Sequence, residues 1–93
     1  MKDNSKYYTA GDIRRRMNLG RIYVTEKVIE EINKRIVEAA NNNFNGVQVS
    51  FDDEEFEKFN IDSDVMRNVR AHFEKLRFTV NLNKFLKRVL IQL

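Results

Sequence analysis

The chain has 93 residues, 42% of them hydrophobic, with a formal net charge of +3 and a pI near 9.3. That length implies one domain around one core, and seven Phe with three Tyr are too many aromatics for a disordered chain. Cysteine is absent, which excludes a disulfide framework, a thiolate zinc site and a cysteine nucleophile and favours a reducing cytoplasm.

Residues 1–8 are polar, lack the apolar stretch of a signal peptide and read as a flexible N-terminus ahead of a single domain over residues 9–93. No apolar run approaches the roughly 18 residues of a membrane span. Thr9 and Asp12, three apart, match a capping box in its Asp form and predict a short helix over residues 10–18 that stops near Gly20. Ile13 and Met17 lie four apart on its apolar side, and Arg14, Arg15 and Arg16 fan outward beside them. Residues 21–24 favour a β link, and Thr25 is a second good N-cap.

The next helix has the clearest pattern in the chain. Val28, Ile29, Ile32, Ile36, Ala39 and Ala40 recur at helical spacing and form one apolar stripe. Glu26, Glu30 and Glu31 sit near its N-terminus, where the helix dipole favours negative charge. Glu30 with Lys34 and Glu31 with Arg35 are i,i+4 pairs. Asn41, Asn42, Asn43, Asn45 and Gly46 tolerate the left-handed backbone of a tight turn and end the helix.

Residues 47–51 alternate strictly between apolar and polar, the mark of a half-buried strand. The acidic segment that follows is anchored by Phe56 and Phe59. Asp62 or Ser63 caps a helix whose inward stripe is Val65, Met66, Val69, Phe73 and Leu76. Phe78, Val80 and Leu82 alternate as a second strand, Asn83 and Lys84 make a turn, and residues 86–92 form a third strand. Its Val89 and Ile91 face one way and Leu90 the other. The order α-α-β-α-β-β predicts an α+β fold: a three-stranded antiparallel sheet packed by two main helices, with a short N-terminal helix.

Charge is unevenly distributed. Residues 52–64 carry seven acids against Lys58, a local −6, and residues 65–93 carry seven basic groups against Glu74, a local +6. Such polarity either steers an anionic partner to one face or merely solvates two surfaces. Arg14, Arg15, Arg16 and Arg21, near Tyr8 and Tyr23, combine guanidiniums that grip phosphate with aromatic faces that stack on bases. They are the candidate ligand-binding residues for nucleic acid or a nucleotide. Asp52, Asp53, Glu54, Glu55 and Glu57 are the candidate protein-interaction residues of an alternative reading, in which the domain inhibits or adapts a host protein through its acidic segment 52–64 or an exposed strand edge. They lack the alternating acids, central Gly and terminal Glu of a calcium loop, so no metal is expected.

Catalytic apparatus is not evident. His72, the single histidine, borders the stripe of the third helix and has no nucleophile or orienting partner at a telling spacing. Gly11, Gly20 and Gly46 are too scattered for a phosphate loop. We therefore expect a non-enzymatic binding protein without a cofactor.

The opening Thr9-Ala10-Gly11-Asp12-Ile13-Arg14, the amphipathic helix ending at the Asn-rich turn into residues 47–51, and the later helix leading into Phe78-Thr79-Val80-Asn81-Leu82 recur as a layout. In that order, over residues 9–93, the chain resembles small accessory proteins of bacteriophages and other mobile elements. The resemblance implies a compact, often oligomeric binding protein that acts on a host factor, a nucleic acid or a signalling nucleotide, in the host cytoplasm. It carries over no functional residues. A homodimer is expected on separate grounds: Val89, Leu90, Ile91 and Leu93 would leave an apolar strand edge that a second copy could cover.

Overall fold

The computed structural model describes residues 8–93. The order is α1 (Ala10–Asn41), β1 (Gly46–Ser50), a 3-10 turn (Glu54–Phe56), α2 (Ser63–Lys75), β2 (Thr79–Asn83) and β3 (Arg88–Gln92). The fold is α+β, with both helices on one face of a three-stranded antiparallel sheet. No helix is long and apolar enough to cross a membrane. Of the expected N-terminal tail, residues 1–7 lie outside the described residues, and Tyr8 is exposed.

Thr9 opens α1 as expected. Its hydroxyl accepts from the Asp12 N–H at 3.1 Å, while its own N–H donates to the Asp12 carboxylate at 3.1 Å. The expected stop at Gly20 and β link over residues 21–24 do not occur, and the N-terminal helix is not separate. One 32-residue helix runs straight through. A helical glycine costs only about 1 kcal/mol relative to alanine, too little to end a ladder that continues on both sides. Thr25 does not cap a new helix; its hydroxyl donates to the Arg21 carbonyl at 2.8 Å, a bond available only inside a continuing one.

The core lies beneath the C-terminal half of α1. Val28 and Ile32 meet Val65, Met66, Val69 and Phe73 of α2 and Val49, Val89 and Ile91 of the sheet, all buried. Phe51, Phe56 and Ile61 close it from the connecting segment. Asp62 caps α2 by accepting from the Val65 N–H at 2.9 Å. Leu76, expected on the inward stripe, lies past the helix end at the C-cap and is exposed.

Strand order is β1-β3-β2, antiparallel throughout. The last strand is thus the central one, with Val89 paired to Val49 on one side and Leu82 on the other. This corrects the expectation that residues 89–93 present an open edge for a second copy: β3 is hydrogen-bonded on both sides. It begins at Arg88 rather than residue 86, because Asn83 accepts from the Leu86 N–H at 3.0 Å and draws residues 84–87 into the turn.

Candidate functional site

The basic and aromatic set falls on one projecting element. The molecule extends 59 × 24 × 22 Å, and the long dimension follows α1. Residues 10–16 form an arm beyond the body, about 10 Å of helix at 1.5 Å per residue, and at its root Met17, Gly20, Arg21 and Val24 line a cleft with Asn60, Asp62 and Val65. Successive helical residues point about 100° apart, so Arg14, Arg15 and Arg16 diverge instead of converging. Arg15 pairs with Asp12 at 3.8 Å, and Arg16 stacks over Tyr8 with its guanidinium 4.5 Å from the ring centre. Arg21 sits at the root of the arm, its Nε 3.8 Å from carboxylate oxygens of both Asp62 and Asp64. Tyr23 packs edge-on against Phe59 at 6.4 Å, with the Lys27 ammonium 5.6 Å from its ring centre. The structure therefore gathers Tyr8 with Arg16, but leaves Arg21 and Tyr23 engaged with the body.

The acidic set has a different setting. After β1 the chain crosses the flank of α1, and Arg35 holds it there. The Arg35 guanidinium donates to Asp53 at 2.8 Å, Glu55 at 2.6 Å and Glu31 at 3.3 Å, and stands 5.1 Å from the centre of the Phe56 ring. Burial opposes its charge, but its hydrogen bonds to Asp53 and Glu31 outweigh that penalty and hold its pKa above the ordinary arginine value. Phe56 is buried and Phe59 half-buried, so both anchor the segment as expected. Asp52, Glu54 and Glu57 are exposed and make no ion pair among the described residues.

Between this segment and the strand edge lies a groove of about 810 Å³, lined by Glu31, Arg35, Glu38, Ala39, Asn42, Phe44, Gly46, Val47, Gln48, Asp53, Glu54 and Glu55. Five carboxylates face one guanidinium there, and Ala39, Phe44 and Val47 supply apolar contact. The groove runs along the outer edge of β1. Hydrogen bonds join Leu93 N–H to the Asn45 carbonyl and Phe51 N–H to the Lys87 carbonyl, at 2.9 and 2.8 Å. In an antiparallel ladder the bonded pairs alternate, so residues 45, 47, 49 and 51 bond to β3 and Gly46, Gln48 and Ser50 turn their N–H and C=O groups outward. The Ser50 carbonyl is taken by the Asp53 N–H at 3.1 Å. The outward groups of Gly46 and Gln48 have no partner among the described residues. Sequence reasoning named the acids and, in general terms, a strand edge, but did not place that edge at Gly46–Gln48 and missed Glu31, Arg35 and Glu38. The Glu31–Arg35 pair was its only signal for them.

No group of three or more His, Cys, Asp or Glu side chains placed to hold a metal ion occurs among the described residues. His72 is half-buried and stacks edge-on against Phe73 at 4.9 Å. Compared with protein-family models, curated proteins and solved structures, the chain matches none of them.

Proposed function

We propose that this domain is a protein-interaction module that takes a basic, extended segment of a partner into the groove beside β1. The observation that carries this reading is the juxtaposition of unpaired strand-edge groups at Gly46 and Gln48 with the carboxylates of Glu31, Glu38, Asp53, Glu54 and Glu55. A strand added to an open edge gains affinity from main-chain hydrogen bonds and specificity from alternate side chains. Here the main-chain bonds come from Gly46 and Gln48, and lysine or arginine of the incoming strand meets the acidic walls. Phe44, exposed at the end of the groove, offers an apolar contact to the same strand. In this reading the protein acts as an adaptor or inhibitor of a basic host protein, the kind of task the resemblance to mobile-element accessory proteins implies.

The test is titration of the protein with extended lysine-rich peptides, followed by amide NMR. Binding should shift and protect the amides of residues 46–48 and weaken as salt rises. Gln48→Pro removes one outward N–H without touching the β3 ladder, a substitution that edge strands tolerate. It should cost about tenfold or more in affinity, the worth of one well-made hydrogen bond. Binding that leaves residues 46–48 unshifted, or that ignores Gln48→Pro, would sink the proposal.

The arm supports a second reading, in which Arg14, Arg15 and Arg16 hold nucleic acid or a nucleotide. It is favoured by the exposure of all three side chains and the stacking of Arg16 on Tyr8. Phosphate-driven binding would fall steeply with salt and vanish in the triple Arg→Gln variant, while binding in the β1 groove would survive it.

A further inference from the structure

The β1 groove also fixes where along a docked strand a cation can stand. Side chains alternate between the two faces of a strand, and neighbouring strands continue that alternation as rows across the sheet. Val47 belongs to the row Val47-Ile91-Val80, which packs against the core and so faces the helices. Gln48 belongs to the row Gln48-Leu90-Asn81 on the opposite face, which no helix covers. A strand added along the edge extends these rows whether it runs parallel or antiparallel, and a slip of one residue turns every side chain over. The residue beside Val47 therefore faces α1, and its two neighbours face away from it.

The two faces differ in charge. On the helical face the groove holds Glu31 and Glu38 of α1, and Arg35 draws Asp53 and Glu55 against the same flank. Glu31, Asp53 and Glu55 already share the Arg35 guanidinium. Glu38 and Glu54 line the groove with Val47, are exposed and make no ion pair among the described residues. They are the carboxylates that a cation beside Val47 would meet. Toward Ser50 the edge is closed, because the Asp53 N–H takes the Ser50 carbonyl and residues 53–55 are clamped to Arg35. Toward Asn45 the groove ends at exposed Phe44, which offers apolar contact to the helix-facing residue two positions from the cation.

On the outer face the rows Gln48-Leu90-Asn81 and Gly46-Gln92-Thr79 carry no charge, and the row beyond them carries Arg88. A lysine pointing that way finds no carboxylate and, beside Ser50, meets a like charge.

We propose that the groove selects a segment with one lysine or arginine beside Val47, an apolar residue two positions away and uncharged neighbours, rather than a polybasic tract. This selection rests on the strand-docking reading and refines it. Main-chain bonds to Gly46 and Gln48 hold a strand of any sequence, whereas Glu38 and Glu54 discriminate among strands by the one side chain that faces them.

The test uses capped peptides and the intact protein at about 0.15 M salt, where a Debye length of about 8 Å limits unspecific attraction. In Thr-Val-Thr-Lys-Thr-Val-Thr the lysine and both valines share one face in either strand direction. Replacing its lysine by norleucine should weaken binding about tenfold, the worth of one hydrogen-bonded ion pair in a partly open site. Glu38→Gln combined with Glu54→Gln should weaken the lysine peptide by a similar factor and leave the norleucine peptide unchanged. Thr-Val-Lys-Lys-Lys-Val-Thr, with two further lysines turned to the outer face, should bind within about threefold of the single-lysine peptide. In NMR spectra of the complex the lysine methylenes should show Overhauser contacts to the Ala39 methyl group, which lines the groove, and none to Leu90. If no peptide shifts the amides of residues 46–48, the strand-docking reading fails and takes this selection with it. If the peptides bind there but each added lysine strengthens binding alike, or the single lysine contacts Leu90, only the selection is overturned.

Discussion

The two halves of α1 are one continuous helix under opposite conditions. In the C-terminal half Val28 and Ile32 are fully buried, and Arg35 fastens a whole segment of chain to the outer flank. In the N-terminal half no side chain is fully buried: Arg21, Tyr23 and Val24 rest on the body at its root, and beyond them only local devices remain, the Thr9–Asp12 capping box, the Arg15–Asp12 pair and the Arg16–Tyr8 stack. The contrast shows that helical backbone needs no uniform source of stability. Packing specifies where the body sits, while capping and short-range pairs carry the ladder outward from it.

The sharpest way to break the comparison is to truncate one apolar side chain in each half. Ile32→Ala should destabilise the body by about 3–4 kcal/mol, because it leaves a cavity between α1, α2 and the sheet. Met17→Ala should change stability by less than about 0.5 kcal/mol when urea unfolding is followed in dilute protein. Equal effects at the two sites would mean that the arm is packed.

A smaller contrast lies in two glycines. At Gly46 an added Cβ would approach the Ile91 carbonyl oxygen to 2.7 Å and Gln92 Cγ to 2.8 Å, so the glycine is what lets β1 close against β3. Gly46→Ala should therefore cost about 1–3 kcal/mol. Gly20→Ala meets open space in a helix and should stabilise by up to about 1 kcal/mol. Thermal unfolding of the two variants should thus shift in opposite directions.

The smallest expected effect is pH dependence at the tip. The backbone N–H and hydroxyl of Thr9 hold the Asp12 carboxyl below its ordinary pKa of 3.8, with Arg15 and Arg16 adding to the effect. Because the folded value is the lower one, the cap contributes in full above the ordinary value and is lost as pH falls through the folded value. Far-UV circular dichroism should show fraying of the first turn in acid, and Asp12→Asn should remove that step.

Much of the fold was legible in the sequence, for identifiable reasons. Residues 47–51 alternate because β1 is covered on one face only, and the stripe Val65, Met66, Val69 and Phe73 matches the buried face of α2. The continuity of α1 was hidden because Gly20 and Thr25 carry the same local signals at a helix boundary as inside a helix. Strand order was hidden as well: alternation tells which face of β3 is buried, but not that β1 and β2 flank it. The interaction site was half visible. Its acids stand together in the chain, but the link from Arg35 to Asp53 spans eighteen residues and depends on the tertiary fold. The arginines misled in the opposite way, since neighbours in sequence diverge around a helix.

The central position of β3 also bears on how the protein acquires its shape during synthesis. β1 and β2 make no pairing with each other, and each bonds only to residues 88–92. A nascent chain emerging from the ribosome has both helices and two strands in hand before any ladder can close. Until the final strand arrives, two sets of strand-edge groups stand open, and the apolar faces of Val49 and Val80 lack their neighbour. β2 and β3 then close as a local hairpin across residues 84–87, whereas pairing β3 with β1 joins segments some forty residues apart, the kind of long-range closure that sets the pace of folding.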